Sequence, residues 1–410
     1  MALSVLLGWA SGSAERGADY PGRLARDPPA RAGEERRIVA DKGLREVIAA
    51  DTKISDIDGQ KGTLSYVGFE IQDLAEHSTF EEVVYLLHHL ELPTAPEFEG
   101  MATFLSNERD LHPFQVQLMR TLAEQTSPMS MLRTSVSAAS AFDPDGWDES
   151  PEAQARKAQR LVAKTASLIA TYHRLRTGME MVTPNPELPH AADFLWMLHG
   201  TEPDPEDARV LDATFILYAD HTMNASTFTA RIVASTLADI FSAITAAIGT
   251  LKGPLHGGAN EEAMKSFEEV GKPKNAEAYV RDRLERHEKI FGFGHAVYKT
   301  YDPRALILKR LSKEACERAG KPELHETAEA IEEATFEQKG LYPNVDFYAA
   351  AVFHVLGIPT DLMTPVFAAA RMAGWTAHVR EQYADNKVIR PGSRYVGPKD
   401  RTWVPPEERG

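Results

Sequence analysis

Cysteine is nearly absent. Cys316 is the only one in the 410-residue chain, which excludes an intrachain disulfide and a thiolate-rich metal site. It falls in a helical run over 306–319, where a thiol is expected to pack rather than react. Long uncharged stretches are missing as well. The longest, 240–251 and 347–360, fall short of the roughly eighteen residues a membrane span requires and have the length of buried helices. Excess positive charge is also lacking: 45 Lys and Arg against 60 Asp and Glu leave a net charge of −15. That balance excludes nucleic acid or an anionic membrane as the main partner, and an anionic substrate would need a local cluster of Arg, Lys and His. No H-E-x-x-H zinc motif and no G-x-S-x-G nucleophile elbow occurs. Gly292 and Gly294 lack the third glycine of a dinucleotide fingerprint, since Val297 stands in its place, and the charged run before them reads as helix rather than strand.

What is present is helix. Residues 1–41 are rich in Gly, Pro, Arg and Ala without periodicity, and are expected to form a disordered extension. They lack the positive start of a signal peptide, so the protein is expected in the cytoplasm. Thr52–Ile57 and Thr63–Val67, joined through Asp58 to Gly62, read as a small β-hairpin. Ser78 with Glu81, and Thr79 with Glu82, both fit a capping box that opens a helix to about Leu90. Helical patterns follow near 97–107, 113–124, 129–142, 153–177 and 207–219, and a long apolar one spans 227–251. After Gly253-Pro254 the helices to about Leu356 are shorter and more charged, as in a smaller, more exposed domain. Thr364-Pro365 reads as an N-cap and a helix-starting proline, and the apolar helix to about Tyr383 as a return to the large domain. The class is all-α with two domains, the larger one discontinuous: 42–258 and 358–410 around a small domain at 259–357.

Four stretches place polar groups at element boundaries. In 291–304 two glycines present His295, and Asp302-Pro303 reads as an N-cap and first helical position, putting Arg304 in a first turn that favours an anion. His221 and Asn224 lie between two helical runs, His256 sits among glycines at the domain junction, and Asp346 falls near a helix start. Each alone reads more simply as a cap or a satisfied buried group. Three histidines at glycine-rich or helix-breaking junctions are harder to explain as structure; the other eleven lie in ordinary helical or loop patterns. Proton abstraction and carbonyl polarisation by His and Asp, with Arg for carboxylates, is the chemistry that remains.

His256 in G-P-L-H-G-G-A-N, His295 and Arg304 in G-F-G-H-A-V-Y-K-x-x-D-P-R, and Asp346 in Y-P-N-V-D-F-Y together resemble the citrate synthase family, in its shorter bacterial and archaeal form. The resemblance runs from about residue 42 to the C-terminus. It implies an all-helical homodimer, with a large dimerising domain and a small domain that closes over substrate. It also implies a condensation of acetyl-CoA with oxaloacetate and water to citrate and CoA, an entry step of the tricarboxylic acid cycle, with no metal and no redox cofactor. By resemblance Asp346 is the base for the acetyl methyl, His256 the donor to the enolate and His295 the group polarising the oxaloacetate carbonyl. His221, Arg304 and Arg371 match oxaloacetate ligands, and Arg390 matches an arginine reaching the neighbouring subunit's site. Lys289, Ile290, Phe291, Gly292 and Phe293 match the coenzyme A wall, and Lys299 a position that meets its phosphates. A 2-methylcitrate synthase using propionyl-CoA shares these motifs and is the alternative within the enzyme class; one methylene is worth only about 1–3 kcal/mol of discrimination. A catalytically silent regulatory relative is the rival from another class; the intact set of His256, His295 and Asp346 speaks against it.

Overall fold

A computed structural model describes residues 43–44 and 47–409; the expected disordered extension, 1–41, lies outside them. Residues 50–392 form one compact unit. The hairpin is there, with one addition. β1 (Ser55–Asp58) and β2 (Thr63–Tyr66) pair antiparallel, Ser55 opposite Tyr66 and Ile57 opposite Leu64. Their turn closes on Asp58, whose Oδ1 accepts the N–H groups of Gln60 and Lys61 at 3.0 Å each, and whose carbonyl accepts that of Gly62 at 2.8 Å. A third strand, β3 (Phe69–Glu70), adds to β2; two residues are too few to leave an alternation in the sequence.

The helices carry the rest of the regular structure. In chain order they are α1 (Ile71–His77), α2 (Phe80–His89), α3 (Ala95–Asn107), α4 (Pro113–Leu122), α5 (Pro128–Ala139) and α6 (Pro151–Arg176). Then come α7 (His190–His199), α8 (Pro205–Tyr218), α9 (Ala225–Ala234), α10 (Ile240–Leu251) and α11 (Ala259–Val270). The last five are α12 (Ala276–Glu285), α13 (Pro303–Arg318), α14 (Pro322–Lys339), α15 (Val345–Val355) and α16 (Met363–Ala384). Thr79 is the cap of α2, accepting from Glu82 N–H at 3.3 Å, while Ser78 Oγ donates to the Glu82 carboxylate at 2.5 Å. Among the described residues no helix is long and apolar enough to cross a membrane.

Three helix expectations need correction. The apolar run 227–251 is two helices, because Leu237 takes a left-handed φ of 61° and Asp239 caps α10 by accepting from Ser242 N–H at 2.9 Å. Apolar periodicity continues across the break and hides it. Neither α1 nor α7 falls within an expected helical pattern; α7 is buried on nearly every side, so no polar face marks it. α16 starts at Met363 from a 3-10 turn over Thr360–Leu362, so Thr364 is not its cap. The Thr364 hydroxyl instead lies 3.0 Å from Gly257 O and against the Glu261 carboxylate, tying α16 to the loop that carries His256 and to α11.

α16 runs through the core, buried along almost its whole length, and packs on α2, α6, α8, α9 and α10. Its small residues permit that crowding. At Gly374 an added Cβ would stand 2.4 Å from Ala219 O, so only glycine lets the end of α8 approach. In the charged segment 259–357, α13 and α11 pack on α15, and α12 on α14, with Cys316 buried in α13 as expected. Arg318 meets Asp207 at 2.6 Å and Arg310 meets Glu76 at 3.0 Å, joining α13 to α8 and α1.

Candidate active site

The connection from α8 to α9 carries His221. Asp220, fully buried, accepts from the Ser55 hydroxyl and from Thr222 N–H at 2.9 Å, and lies 3.3 Å from His378 Nε2. Tyr66 bonds both Asp220 main-chain groups, donating to O at 2.9 Å and accepting from N–H at 3.1 Å. Asn224 caps α9 by accepting from Ser226 and Thr227 N–H. His221 is thus gripped from both sides, yet its Nε2 is buried without a partner.

The glycine turn and the start of α15 are stitched into one piece. Gly294 N–H donates to Tyr342 O at 2.9 Å, Asn344 N–H to Gly292 O at 2.8 Å, and Asn344 Nδ2 to Gly294 O at 3.2 Å. Gly292 and Gly294 have φ of 80° and 75°, so both use the left-handed conformation that glycine tolerates. His295 Nδ1 accepts from Val297 and Tyr298 N–H at 3.0 and 3.2 Å. In the neutral ring the proton therefore sits on Nε2, and the free edge of His295 is a donor. Its ring lies 5.0 Å from that of His221 and 4.7 Å from that of Tyr298. Asp302 caps α13 as expected, accepting from Arg304 N–H at 3.0 Å and, on its other oxygen, from Val345 N–H at 3.2 Å. Asn344 caps α15, and Asp346 follows in its first turn, half-buried, with Oδ1 accepting from the Tyr218 hydroxyl at 2.9 Å.

One stripe of α16 organises these pieces. Arg371, Trp375 and His378 are four and then three residues apart, hence on one helix face. Arg371 Nε donates to Tyr218 O at 2.6 Å, beside the residue that holds Asp346. Trp375 Nε1 donates to Ser226 Oγ at 3.1 Å, and that hydroxyl lies 2.8 Å from His256 Nε2 and 2.8 Å from Asn224 Oδ1. An indole N–H only donates, so the Ser226 proton remains available to His256 or Asn224. His378 reaches Asp220 and through it the His221 turn.

The arginines differ. Arg304 is buried and paired with Asp302, Nε to Oδ1 at 3.0 Å and Nη2 to Oδ2 at 2.7 Å. Arg371 is equally buried but has no ion pair among the described residues; its guanidinium lies 4.7 Å from the Phe367 ring centre. A buried guanidinium without a carboxylate is costly unless something anionic arrives. Arg390 is exposed in the extended segment after α16 and makes no described side-chain bond. Of the expected coenzyme A wall, Ile290 and Gly292 are buried, Phe291 and Phe293 partly so, and Lys289 and Lys299 exposed.

The electrostatics divide the roles. Burial, with Arg304, His295 and Arg371 adding to it, holds His221 well below the ordinary imidazole range. Burial and Arg371 press His256 down to about 4, and burial and Arg304 do the same to His295. All three rings are neutral at pH 7 and donate or accept without carrying charge. Burial pushes the Asp346 carboxyl up to about 6, against the Tyr218 hydrogen bond and the two arginines, so it is ionised at neutral pH yet more basic than a free carboxylate.

Sequence reasoning overlooked Tyr218, Ser226, Tyr298 and Trp375. Tyr298 is buried against His295 with its hydroxyl unpartnered. The one signal for it and for Tyr218 was an aromatic with a polar tip inside an already chosen stretch; Trp375 sits mid-helix and gave none. A separate cavity of about 230 Å³ between α4, α5, α6 and α10 contains none of the predicted residues. Its cations are already engaged, Arg160 with Asp143 at 2.7 Å and Lys164 with Asp110 O at 2.6 Å.

The chain is 46% identical to citrate synthase 2 of Bacillus subtilis over 91% of its length and 100% of the relative's. It is 47% identical to the citrate synthase of Haloferax volcanii, over 90% and 98%. A 2-methylcitrate synthase of Shewanella oneidensis stands at 40%, over 88% and 96%. Among solved structures, citrate synthase from Pyrobaculum aerophilum superposes with a TM-score of 0.84 at 43% identity, covering 90% of this chain and 95% of that one. A ternary complex of the Thermoplasma acidophilum citrate synthase with carboxymethyl coenzyme A and oxaloacetate gives 0.84 at 33% identity, covering 90% and 99%. The family model described as citrate synthase, C-terminal domain, matches residues 43–392, and the chain belongs to the citrate synthase family.

Proposed function

We propose that the site built from His221, His256, His295, Arg304, Asp346 and Arg371 carries the reaction of a citrate (Si)-synthase, an acyltransferase condensing acetyl-CoA with oxaloacetate and water to citrate and CoA. The observation that carries the assignment is the pairing of a raised, ionised Asp346 with three neutral histidines beside two buried arginines. Arg304, Arg371 and the unpartnered His221 Nε2 receive the carboxylates of oxaloacetate. His295 Nε2–H donates to its keto oxygen and makes that carbon electrophilic. With the Ser226 hydroxyl donating to His256 Nε2, the neutral ring carries its proton on Nδ1, and Nδ1–H donates to the thioester oxygen. Asp346 takes a proton from the acetyl methyl, the electron pair moves onto that oxygen, and the enol(ate) carbon attacks the keto carbon. Water then cleaves the thioester. A preformed donor to a developing oxyanion is typically worth about 3 kcal/mol. The acid–base work falls to side chains, so this mechanism needs no metal or redox group; coenzyme A enters as substrate, along the 289–293 segment, with Lys299 toward its phosphates.

The same reading gives a two-domain division, 42–258 with 358–410 against 259–357, and a cytoplasmic homodimer. Ile389 N–H donates to Ser235 Oγ at 3.0 Å, and Asn386 Nδ2 to Ser235 O at 3.1 Å, before the chain leaves α9 with Val388 and Arg390 exposed. A charged side chain left free at that point suits a neighbour's site, and exposed Leu237, two residues after Ser235, suits a partner surface. The deciding experiment is coenzyme A release with oxaloacetate and either acetyl-CoA or propionyl-CoA. Faster turnover with acetyl-CoA is expected; a preference for propionyl-CoA would make 2-methylcitrate the product, and no release with either would leave a binding protein.

A further inference from the structure

We propose that Tyr218 is a positioning residue for proton abstraction: its hydroxyl occupies Asp346 Oδ1 and leaves Oδ2 as the oxygen that takes the proton. The inference rests on Asp346 being the base. The contact is 2.9 Å, and it is the one side-chain hydrogen bond to this carboxylate among the described residues. The Asp346 backbone is held by α15 and by its N–H, which donates to Asn344 Oδ1 at 3.0 Å, but neither fixes the rotation of the carboxyl group. Without Tyr218 the carboxyl group would be free to turn about its own bond.

Tyr218 itself cannot turn. It is the last residue of α8 and is fully buried. Its ring meets Phe367 edge-on at 4.3 Å and stacks near Phe353 at 6.2 Å, and its carbonyl is held by Arg371. Burial, and then the neighbouring Asp346, raise the pKa of the phenol well above its ordinary value, so the hydroxyl stays protonated and can only donate here. The charged and titratable groups acting on Asp346 are Tyr218 from α8, Asp302 and Arg304 from the start of α13, and Arg371 from α16. Glu332 of α14 is taken up by Tyr301, Tyr348 and Lys309, and Glu261 of α11 by the Thr364 hydroxyl. Arg304 and Arg371 act at a distance, through charge. Tyr218 acts by direct contact and so selects an oxygen. In the step itself a methyl C–H bond breaks, its proton goes to Oδ2, and its electron pair becomes the enolate.

The test is Tyr218→Phe, which removes one oxygen and keeps the ring packing. Coenzyme A release is followed from about pH 5 to pH 9, with oxaloacetate affinity measured separately by calorimetry. A donor to the ionised form favours it, so its loss should move the acid limb of the kcat profile up by about one pH unit and lower kcat at neutral pH about tenfold or more. Oxaloacetate affinity should stay within about twofold, since no charge is removed. A second protein with 3-fluorotyrosine at position 218, a more acidic and stronger donor, should move the limb the opposite way; it decides the matter if Tyr218→Phe does not fold. An unmoved limb in the folded variants overturns the proposal and leaves Tyr218 a packing residue. Asp346→Asn serves as control: full activity there would remove the base assignment itself, a failure distinct from that of Tyr218.

Discussion

Gly292 lies directly against Phe347, the residue after Asp346: a Cβ added at Gly292 would stand 2.7 Å from Phe347 Cδ2 and 3.1 Å from its Cα. The loop of His295 and the helix of Asp346 are therefore in register only while position 292 has no side chain. Its φ of 80° adds a conformational penalty for any other residue. Gly292→Ala is expected to lower stability by about 1–3 kcal/mol and to cost turnover out of proportion to that loss, because both functional groups shift. Thermal melting and coenzyme A release on the same sample separate the two. Normal turnover in the folded variant would mean that the loop and helix are not coupled.

Asp346→Asn should bind oxaloacetate as before and lose several orders of magnitude in turnover. In the unaltered protein the carboxyl must be ionised to accept a proton. With its pKa raised to about 6, kcat should be level above neutral pH and fall as the pH drops through that value. A loss below about tenfold in Asp346→Asn, only ~1.4 kcal/mol of barrier, would reduce Asp346 to a helix-start carboxylate.

The two buried arginines should separate binding from stability. Arg304→Leu strands Asp302, which also caps α13 and accepts from Val345 N–H, so about 3–5 kcal/mol of stability is expected to go along with oxaloacetate affinity. Arg371→Met removes a buried charge that has no ion pair among the described residues, and should weaken oxaloacetate by about 1.5–3 kcal/mol with little change in melting temperature. Calorimetric titration beside thermal melting reads both. Unchanged affinity in Arg371→Met would move the carboxylate site elsewhere.

Arg390 is expected to serve the partner subunit. Asp346→Asn and Arg390→Ala chains, each nearly inactive alone, should regain about a quarter of full activity when mixed and allowed to exchange, since half the dimers are mixed and each has one intact site. Heterodimers confirmed by mass but inactive would assign Arg390 to its own subunit.

Local chemistry alone determined much of this protein. Thr79, Asp302 and Asn224 cap helices through their nearest neighbours in the chain, and proline at the start of α13 needs no distant partner, so these boundaries were legible. The hairpin at Asp58, the all-α class and the three junction histidines followed from the same short-range rules, and the motifs around His256, His295 and Asp346 carried the family. The tertiary structure decided the rest, because it depends on contacts far apart in sequence. The break at Leu237 is invisible to apolar periodicity, which runs on across it. The proton on His295 Nε2 is set by two backbone N–H groups that only the folded turn aims at Nδ1. Ser226 matters to His256 because Trp375, 149 residues away, fills one of its lone pairs, and Tyr218 matters to Asp346 across 128 residues. α16 is buried on every side from Met363 to Val379, so no helical pattern singles out a face of it; it takes the packed neighbours to make Arg371, Trp375 and His378 three separate supports of one site.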